Sequence, residues 1–217
     1  MQKRPNLAEA ALLLLPFLVI ALVWSRLPDA IPMHWDVHGQ IDRWSSKPFV
    51  FLLPLVTIAV NGLLHALPVF DPKLRRNPHA FSAVALHRFR LVMAALFALL
   101  CILQVAAAMR YPGATGRTFT TAVLLLLAFV GNSLGNLRPN YFAGIRTPWT
   151  LESADTWRAT HRLGGKLMFF GALALIMLQF IVSAALFGPL MLLATAGLVV
   201  WTLLYSWRHF QAHAAHH

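Results

Sequence analysis

Charged residues are scarce in this chain. Asp, Glu, Lys and Arg make up 12% of its 217 residues, whereas hydrophobic residues make up 59%. A typical soluble domain is roughly a quarter charged, so this deficit excludes a water-soluble globule. Cysteine is nearly absent as well. Cys101 is the single cysteine and lies within an apolar run, which excludes a disulfide framework.

Long apolar runs are what the chain has instead. Six of them are about 18 to 24 residues long, which is enough to cross a hydrocarbon core of roughly 30 Å as helices. We place the runs at residues 7–24, 48–70, 91–109, 118–136, 167–187 and 190–207. The sequence therefore predicts an all-α fold, a polytopic membrane helical bundle with about six transmembrane helices.

The basic residues predict the orientation of these helices. With the N-terminus in the cytoplasm, 13 of the 18 Lys and Arg residues lie on the cytoplasmic side and 5 on the other. This bias is the positive-inside pattern, and it accounts for the net charge of +11 without nucleic acid. We predict that both termini and the loop 137–166 are cytoplasmic, that the loop 25–47 is outside, and that the protein does not bind nucleic acid directly.

The loop 25–47 contains a dense group of metal-ligand side chains. His34, Asp36, His38 and Asp42 fall within nine residues, and zinc accepts such nitrogen and oxygen ligands. The alternative is a turn whose Asp side chains bond the local backbone, with tryptophans at the membrane interface. His34 and His38 are four residues apart, but nothing in the loop ensures the helix that would align them, and no HExxH glutamate lies beside them. We therefore favour the turn and keep a divalent metal such as zinc as the open alternative.

The same loop carries a first family resemblance. The residues concerned are Ile31-Pro32-x-His34, Gly39, Asp42 and Trp44, followed by Lys47-Pro48 and an apolar helix. Together they resemble the DUF1648 module found at the start of many bacterial membrane proteins. The resemblance implies a module over residues 1–70, made of helices 1 and 2 and the outer loop, with no known biochemical role.

A polar stretch, residues 131–166, interrupts the later apolar runs. At its start, Gly131 and Gly135 form a small-xxx-small pair that lets two helices approach closely. Asn132 and Asn136 lie one turn apart, and we expect them to face the bundle or a cavity, most simply as hydrogen-bonding groups between helices.

The second half of this stretch predicts a constrained turn and a basic helix. Pro148 biases the residue before it towards extended geometry, and Thr150 or Ser153 can cap the helix that follows. On that helix Arg158, Arg162 and Lys166 form a row that could bind a lipid headgroup, a phosphate or a partner's carboxylates. Composition alone favours an ordinary juxtamembrane basic belt.

Residues of this stretch also resemble the signature of the SdpI family of bacterial membrane proteins. They are Asn136, Arg138, Asn140, Gly144, the block Arg146-Thr147-Pro148-Trp149-Thr150-Leu151, Trp157, Thr160-His161 and Gly164. The six-span layout behind a DUF1648 module is similar too. The resemblance implies a region over residues 71–217, with helices 3–6 and the loop 137–166, that forms one structural unit with the first module.

The family resemblance implies a function and partners. It implies immunity to a secreted toxic peptide, with signalling in which the occupied protein holds a transcriptional repressor at the bacterial cytoplasmic (inner) membrane. The expected partners are membrane lipids, an extracellular toxic peptide and a cytoplasmic transcriptional repressor. The expected ligand- or partner-binding residues are Asn132, Asn136, Arg138, Asn140, Arg146, Trp149, Trp157, Arg158, His161 and Arg162.

A metal-dependent enzyme or transporter acting on a peptide or lipid-linked substrate is the alternative. The outer His and Asp residues could hold metal and activate water. However, the predicted spans contain no Asp or Glu after Glu9, and intramembrane carboxylates usually mark proton-coupled transport. We name no catalytic residue and predict a binding and signalling protein rather than an enzyme.

Overall fold

The computed structural model describes residues 7–36, 38–72, 83–111 and 115–214. Within these residues, six helices are long and apolar enough to cross a membrane, as predicted. The helices are α1 (Leu7–Val23), α2 (Leu52–Phe70), α3 (Ala83–Ala108), α4 (Gly116–Leu134), α5 (Pro148–Glu152), α6 (Ala154–Leu178) and α7 (Ala184–Ala214). All but the short α5 are candidate spans, so the chain is a multi-pass helical membrane protein.

The boundary between the last two spans differs from the prediction. The sequence placed the break at Gly188-Pro189, but α6 ends at Leu178 and α7 begins at Ala184. Pro189 lies inside α7, near its start. A proline there removes one backbone hydrogen bond close to a helix end, where neighbouring groups can compensate, so it does not stop the helix.

The loop after α1 contains a hairpin that the sequence did not predict. Strands β1 (Ala30–Trp35) and β2 (Ile41–Ser46) pair antiparallel, with Ala30 opposite Ser46 and Trp35 opposite Ile41. The turn between them uses Gly39 at φ +75°, a left-handed conformation that glycine adopts without strain. Short strands containing a proline and many polar residues give little alternation of apolar and polar positions, which is why the sequence indicated only a turn.

The chain divides into two compact units, which are described separately. The first comprises Met1–His65 and Val84–Leu126, and the second comprises Ala66–Ala83 and Leu127–His217. These units interleave along the chain, whereas the two predicted modules, residues 1–70 and 71–217, are consecutive. The modules therefore remain a prediction about family relationships.

The first unit has an apolar core and one buried ion pair. The core residues that are almost fully buried are Ile20, Leu27, Ile31, Val50, Val105 and Ala108. Near the start of α1, Glu9 Oε1 accepts a hydrogen bond from Arg90 Nε of α3 at 3.0 Å, and each side chain is only 12% exposed. His87 Nδ1 lies 3.5 Å from the second carboxylate oxygen. This pair ties α1 to α3.

The second unit contains a close crossing of α4 and α6. A Cβ on Gly165 would lie 2.6 Å from the Gly131 carbonyl oxygen, and a Cβ on Gly131 would lie 2.7 Å from the Phe169 nitrogen. Such distances are too short for any side chain. The predicted close approach is thereby confirmed for Gly131. It is not found for Gly135, the other member of the predicted pair, where a Cβ would meet only the Arg162 Cα at an ordinary 3.8 Å.

Candidate functional site

The loop between α4 and α6 is folded by the side chain of Asn140. Its Oδ1 accepts hydrogen bonds from the backbone N–H groups of Phe142 (2.9 Å) and Ala143 (2.7 Å). Its Nδ2 donates to the carbonyl oxygens of Arg138 (2.9 Å) and Ala143 (3.1 Å). Asn140 is fully buried. The residue expected to meet a partner therefore organises the loop backbone instead.

Asp71 ties the loop to the end of α2. Its Oδ2 accepts a hydrogen bond from the backbone N–H of Tyr141 at 2.7 Å, and the residue is fully buried. The sequence reasoning missed this role. The available signal was weak: an acidic residue, one of seven in the chain, standing directly after an apolar span.

His161 is the second anchor of the loop. Its Nε2 accepts a hydrogen bond from the backbone N–H of Ile145 at 2.9 Å, so the proton is assigned to Nδ1, which donates to the Trp157 carbonyl at 2.8 Å. Gly144 precedes this contact at φ +109°, and a Cβ there would overlap Nε2. Glycine is thus required twice, for backbone conformation and for space.

Trp157 supports the His161 ring from one side. The two rings stack with centroids 4.0 Å apart, and the Trp157 indole N–H donates to the Leu137 carbonyl at 2.8 Å. Both side chains are 0% exposed. The sequence placed them on a binding surface, whereas the structure places them in the interior. They can affect a partner only through the loop that they hold.

The RTPWT block (residues 146–150) and Ser153 provide two consecutive helix caps. Thr147 caps α5 by accepting from the Thr150 N–H, and the Thr150 side chain accepts from the Thr147 N–H. The Thr150 hydroxyl also donates to the Ile145 carbonyl at 2.9 Å. Ser153 caps α6, which was one of the two predicted alternatives. The block thereby turns the chain from the loop into the span.

The side chain of Ser206 in α7 holds the same block through two hydrogen bonds. Its hydroxyl oxygen accepts from the Trp149 indole N–H at 2.7 Å and from the Thr160 hydroxyl at 2.8 Å. Thr160 and Ser206 are fully buried, and Trp149 is half-buried. Neither hydroxyl residue was among the predicted binding residues. Ser206 is a lone serine in an apolar run, which is too common to indicate a role, and Thr160 was noted only for the family resemblance.

The exposed part of this loop is aromatic and basic. Tyr141 and Phe142 are 46% and 47% exposed. The Arg146 guanidinium is exposed beside them, where its Nη1 donates to the Tyr141 carbonyl at 2.8 Å. Arg138 is exposed near the end of α4. Asn136 is exposed there too, so the expectation that it faces the bundle or a cavity is wrong. We call Tyr141, Phe142 and Arg146, with the half-buried Trp149, the loop face.

The predicted metal ligands have other partners. His34 Nδ1 lies 2.6 Å from Asp42 Oδ1, and both side chains are about half exposed. Asp36 Oδ1 accepts from the N–H groups of His38 and Gln40, each at 2.8 Å, and the bond from Gln40 contributes most to the lowered pKa of Asp36. In the part of the chain that the structure describes, no three His, Cys, Asp or Glu residues are grouped to hold a metal ion. The local backbone bonding expected of a turn is present.

The fold and the loop define a class of protein. It is a multi-pass helical membrane protein in which the RTPWT block leads the chain from a loop with many hydrogen bonds into the membrane-spanning helix α6. Residues 136–206 match the SdpI/YfhL protein family, and residues 11–58 match DUF1648, a domain of unknown function. The predicted family resemblance is confirmed. Over 203 residues, covering 92% of this chain and 93% of the relative, the chain is 23% identical to "Immunity protein SdpI" of Bacillus subtilis (strain 168). No solved structure matches the chain.

Proposed function

We propose that this protein, as a multi-pass protein of the bacterial cytoplasmic membrane, confers immunity to a secreted toxic peptide. The observation that carries the proposal is the similarity to an immunity protein over 92% of the chain. The family match over residues 136–206 includes the whole RTPWT block and its anchors His161 and Ser206. A loop held this firmly presents the same exposed groups continuously, as a binding surface requires.

In this proposal the loop face contacts a cytoplasmic partner. Tyr141 and Phe142 offer exposed aromatic area, and Arg146 offers a guanidinium whose remaining N–H groups can meet a carboxylate or a backbone carbonyl. Aromatic residues and arginine are the side chains that most often dominate binding energy at protein interfaces. The face therefore has the chemistry of a protein-partner site.

Alanine substitution of the loop face tests this proposal. Arg146→Ala and Trp149→Ala are expected to abolish protection of a toxin-challenged bacterial strain, while membrane levels stay equal to wild type. Arg146 bonds one surface carbonyl, so its loss should not unfold the protein. Trp149→Phe keeps an aromatic, though smaller, ring and removes the indole N–H that donates to Ser206, and we expect it to protect partially. The readout is survival against toxin dose.

Arg208→Ala is the matched control for this experiment. Arg208 is exposed on α7 in the same compact unit and lies outside the loop face. Its variant is expected to protect as well as wild type. Wild-type protection by Arg146→Ala and Trp149→Ala, at equal membrane levels, would refute the role of the loop face.

The orientation and the relay form a second step of the proposal. The positive-inside bias supports a cytoplasmic loop face, where a transcriptional repressor could be held while the toxic peptide is met from outside. A cysteine at Ser153, with Cys101 replaced by serine, should resist an impermeant thiol reagent in intact cells. It should react after the cells are opened. Labelling from outside would contradict the orientation and, with it, the relay to a cytoplasmic partner.

A further inference from the structure

A cavity of about 270 Å³ lies beside the crossing of α4 and α6, within the second compact unit. Its lining combines three polar side chains with two aromatic ones and the backbone of small residues. The residues that matter here are Asn132, Gly135, Arg162, Lys166, Phe169 and Phe170. We propose that this cavity binds the phosphate headgroup of an anionic phospholipid, with an acyl chain lying against the phenylalanines.

The charge distribution on α6 is the first argument. Arg158, the first member of the basic row, forms an ion pair with Asp155 one turn away. Among the residues that the structure describes, Arg162 and Lys166 have no carboxylate within ion-pairing distance. Two cations one turn apart beside a cavity attract an anion, and a phosphate can accept hydrogen bonds from both at once.

The position of the cavity along the span is the second argument. Lys166 is the last charged residue before Arg208, so it stands where the apolar part of α6 begins. Phe170, one turn further on, is 63% exposed. The cavity therefore has cations on its polar side and aromatic rings on its apolar side. This arrangement matches a phospholipid at the membrane interface, where the phosphate lies on the polar side and the acyl chains begin on the apolar side.

The volume of the cavity and the side-chain amide of Asn132 also suit a phospholipid headgroup. Pockets for drug-sized molecules are roughly 300–1,000 Å³, so 270 Å³ suits a headgroup rather than a folded peptide segment. Asn132 lines the same cavity and can donate to a phosphate oxygen from the side of α4. The expectation that Asn132 faces a cavity is confirmed, and Arg162 is assigned to lipid rather than to a protein partner.

Lipid retention measured by native mass spectrometry tests the proposal. Purified protein is reconstituted with phosphatidylglycerol or phosphatidylcholine at matched mole fractions, and the lipid that stays bound is counted as detergent is exchanged. We expect wild type to retain phosphatidylglycerol and to release phosphatidylcholine. The variant R162Q/K166Q should weaken phosphatidylglycerol retention by roughly 25-fold, from about fivefold for each basic residue.

Two further variants separate a built cavity from general charge attraction. R158Q removes one positive charge from the same helix and should retain phosphatidylglycerol as wild type does. G135L keeps every charge and fills the cavity; a Cβ at Gly135 meets only the Arg162 Cα, at an ordinary 3.8 Å. The G135L variant should therefore fail to retain phosphatidylglycerol. A monodisperse elution profile and an unchanged unfolding midpoint confirm that each variant is folded.

Competition identifies the ligand. Inorganic phosphate in solution should displace phosphatidylglycerol only weakly, because it lacks the acyl chain that contacts Phe169 and Phe170. Equal retention of phosphatidylcholine, unchanged retention in R162Q/K166Q, or preferential binding of a soluble acidic peptide would each overturn the proposal. The test does not measure protection from a toxin, so its outcome is independent of the immunity function.

Discussion

Gly144→Ala is expected to lower the free energy of unfolding by about 3 kcal/mol and to open the loop face. Alanine at φ +109° carries backbone strain of about 1–3 kcal/mol. Its Cβ would also overlap His161 Nε2, so the Ile145 N–H would lose its acceptor. A buried donor without a partner costs a further 1–3 kcal/mol or so. The midpoint of thermal unfolding in detergent measures the sum.

Trypsin provides the local readout for the same variant. Cleavage after Arg146 requires an opened loop, so it should be faster in Gly144→Ala than in wild type. Gly197→Ala is the matched control, since a Cβ there meets nothing within 4 Å in the helix α7, and it should be neutral or slightly stabilising. Equal unfolding midpoints and equal cleavage in the two alanine variants would show that the Gly144–His161 contact does not hold the loop.

Glu9→Gln is expected to destabilise the first compact unit by about 3–5 kcal/mol. The glutamine keeps the shape of the side chain but leaves the Arg90 guanidinium buried without its counter-charge. Removing one partner of a buried ion pair is costly for this reason, and a low-polarity surrounding offers Arg90 no substitute. The unfolding midpoint in detergent is again the measurement.

An exposed ion pair supplies the comparison for Glu9. Asp155→Asn breaks the ion pair with Arg158. The side chain of Asp155 is 69% exposed and that of Arg158 is 59% exposed, so the free energy of unfolding should change by only about 0–1 kcal/mol. The double variant Glu9→Leu/Arg90→Met removes both charges together and should recover much of the loss. If Glu9→Gln shifted the midpoint no more than Asp155→Asn does, the buried pair would not contribute to holding α1 and α3 together.

The spans and the helix crossing were predictable because their causes are local. Hydropathy over about 20 residues determines which segments suit a membrane, and Gly131 with Gly135 indicates close approach within one helical turn. The Ser153 cap was predictable for the same reason, since the capping hydroxyl bonds an N–H three residues away.

The anchors of the loop were not predictable because their partners are distant in sequence. Ser206 is 57 residues from Trp149, and Asp71 is 70 residues from Tyr141. Nothing local distinguishes these side chains from other isolated polar residues. His161 illustrates the same limit: helical spacing aligned it with Trp157, but only the return of the loop shows that its second nitrogen meets Ile145.

The length of α7 has a consequence for the rigidity of the loop. Its 31 residues extend about 46 Å, whereas a hydrocarbon core is roughly 30 Å thick, so a helix along the membrane normal would extend beyond the lipid tails by about a third of its length. Counted from Ala184, a 30 Å rise is used up within about 20 residues, and Ser206 comes shortly after that point. The Trp149 indole is therefore hydrogen-bonded to a regular helical turn of α7 that lies about 30 Å from the start of the helix, so this anchor of the loop is helix rather than irregular chain.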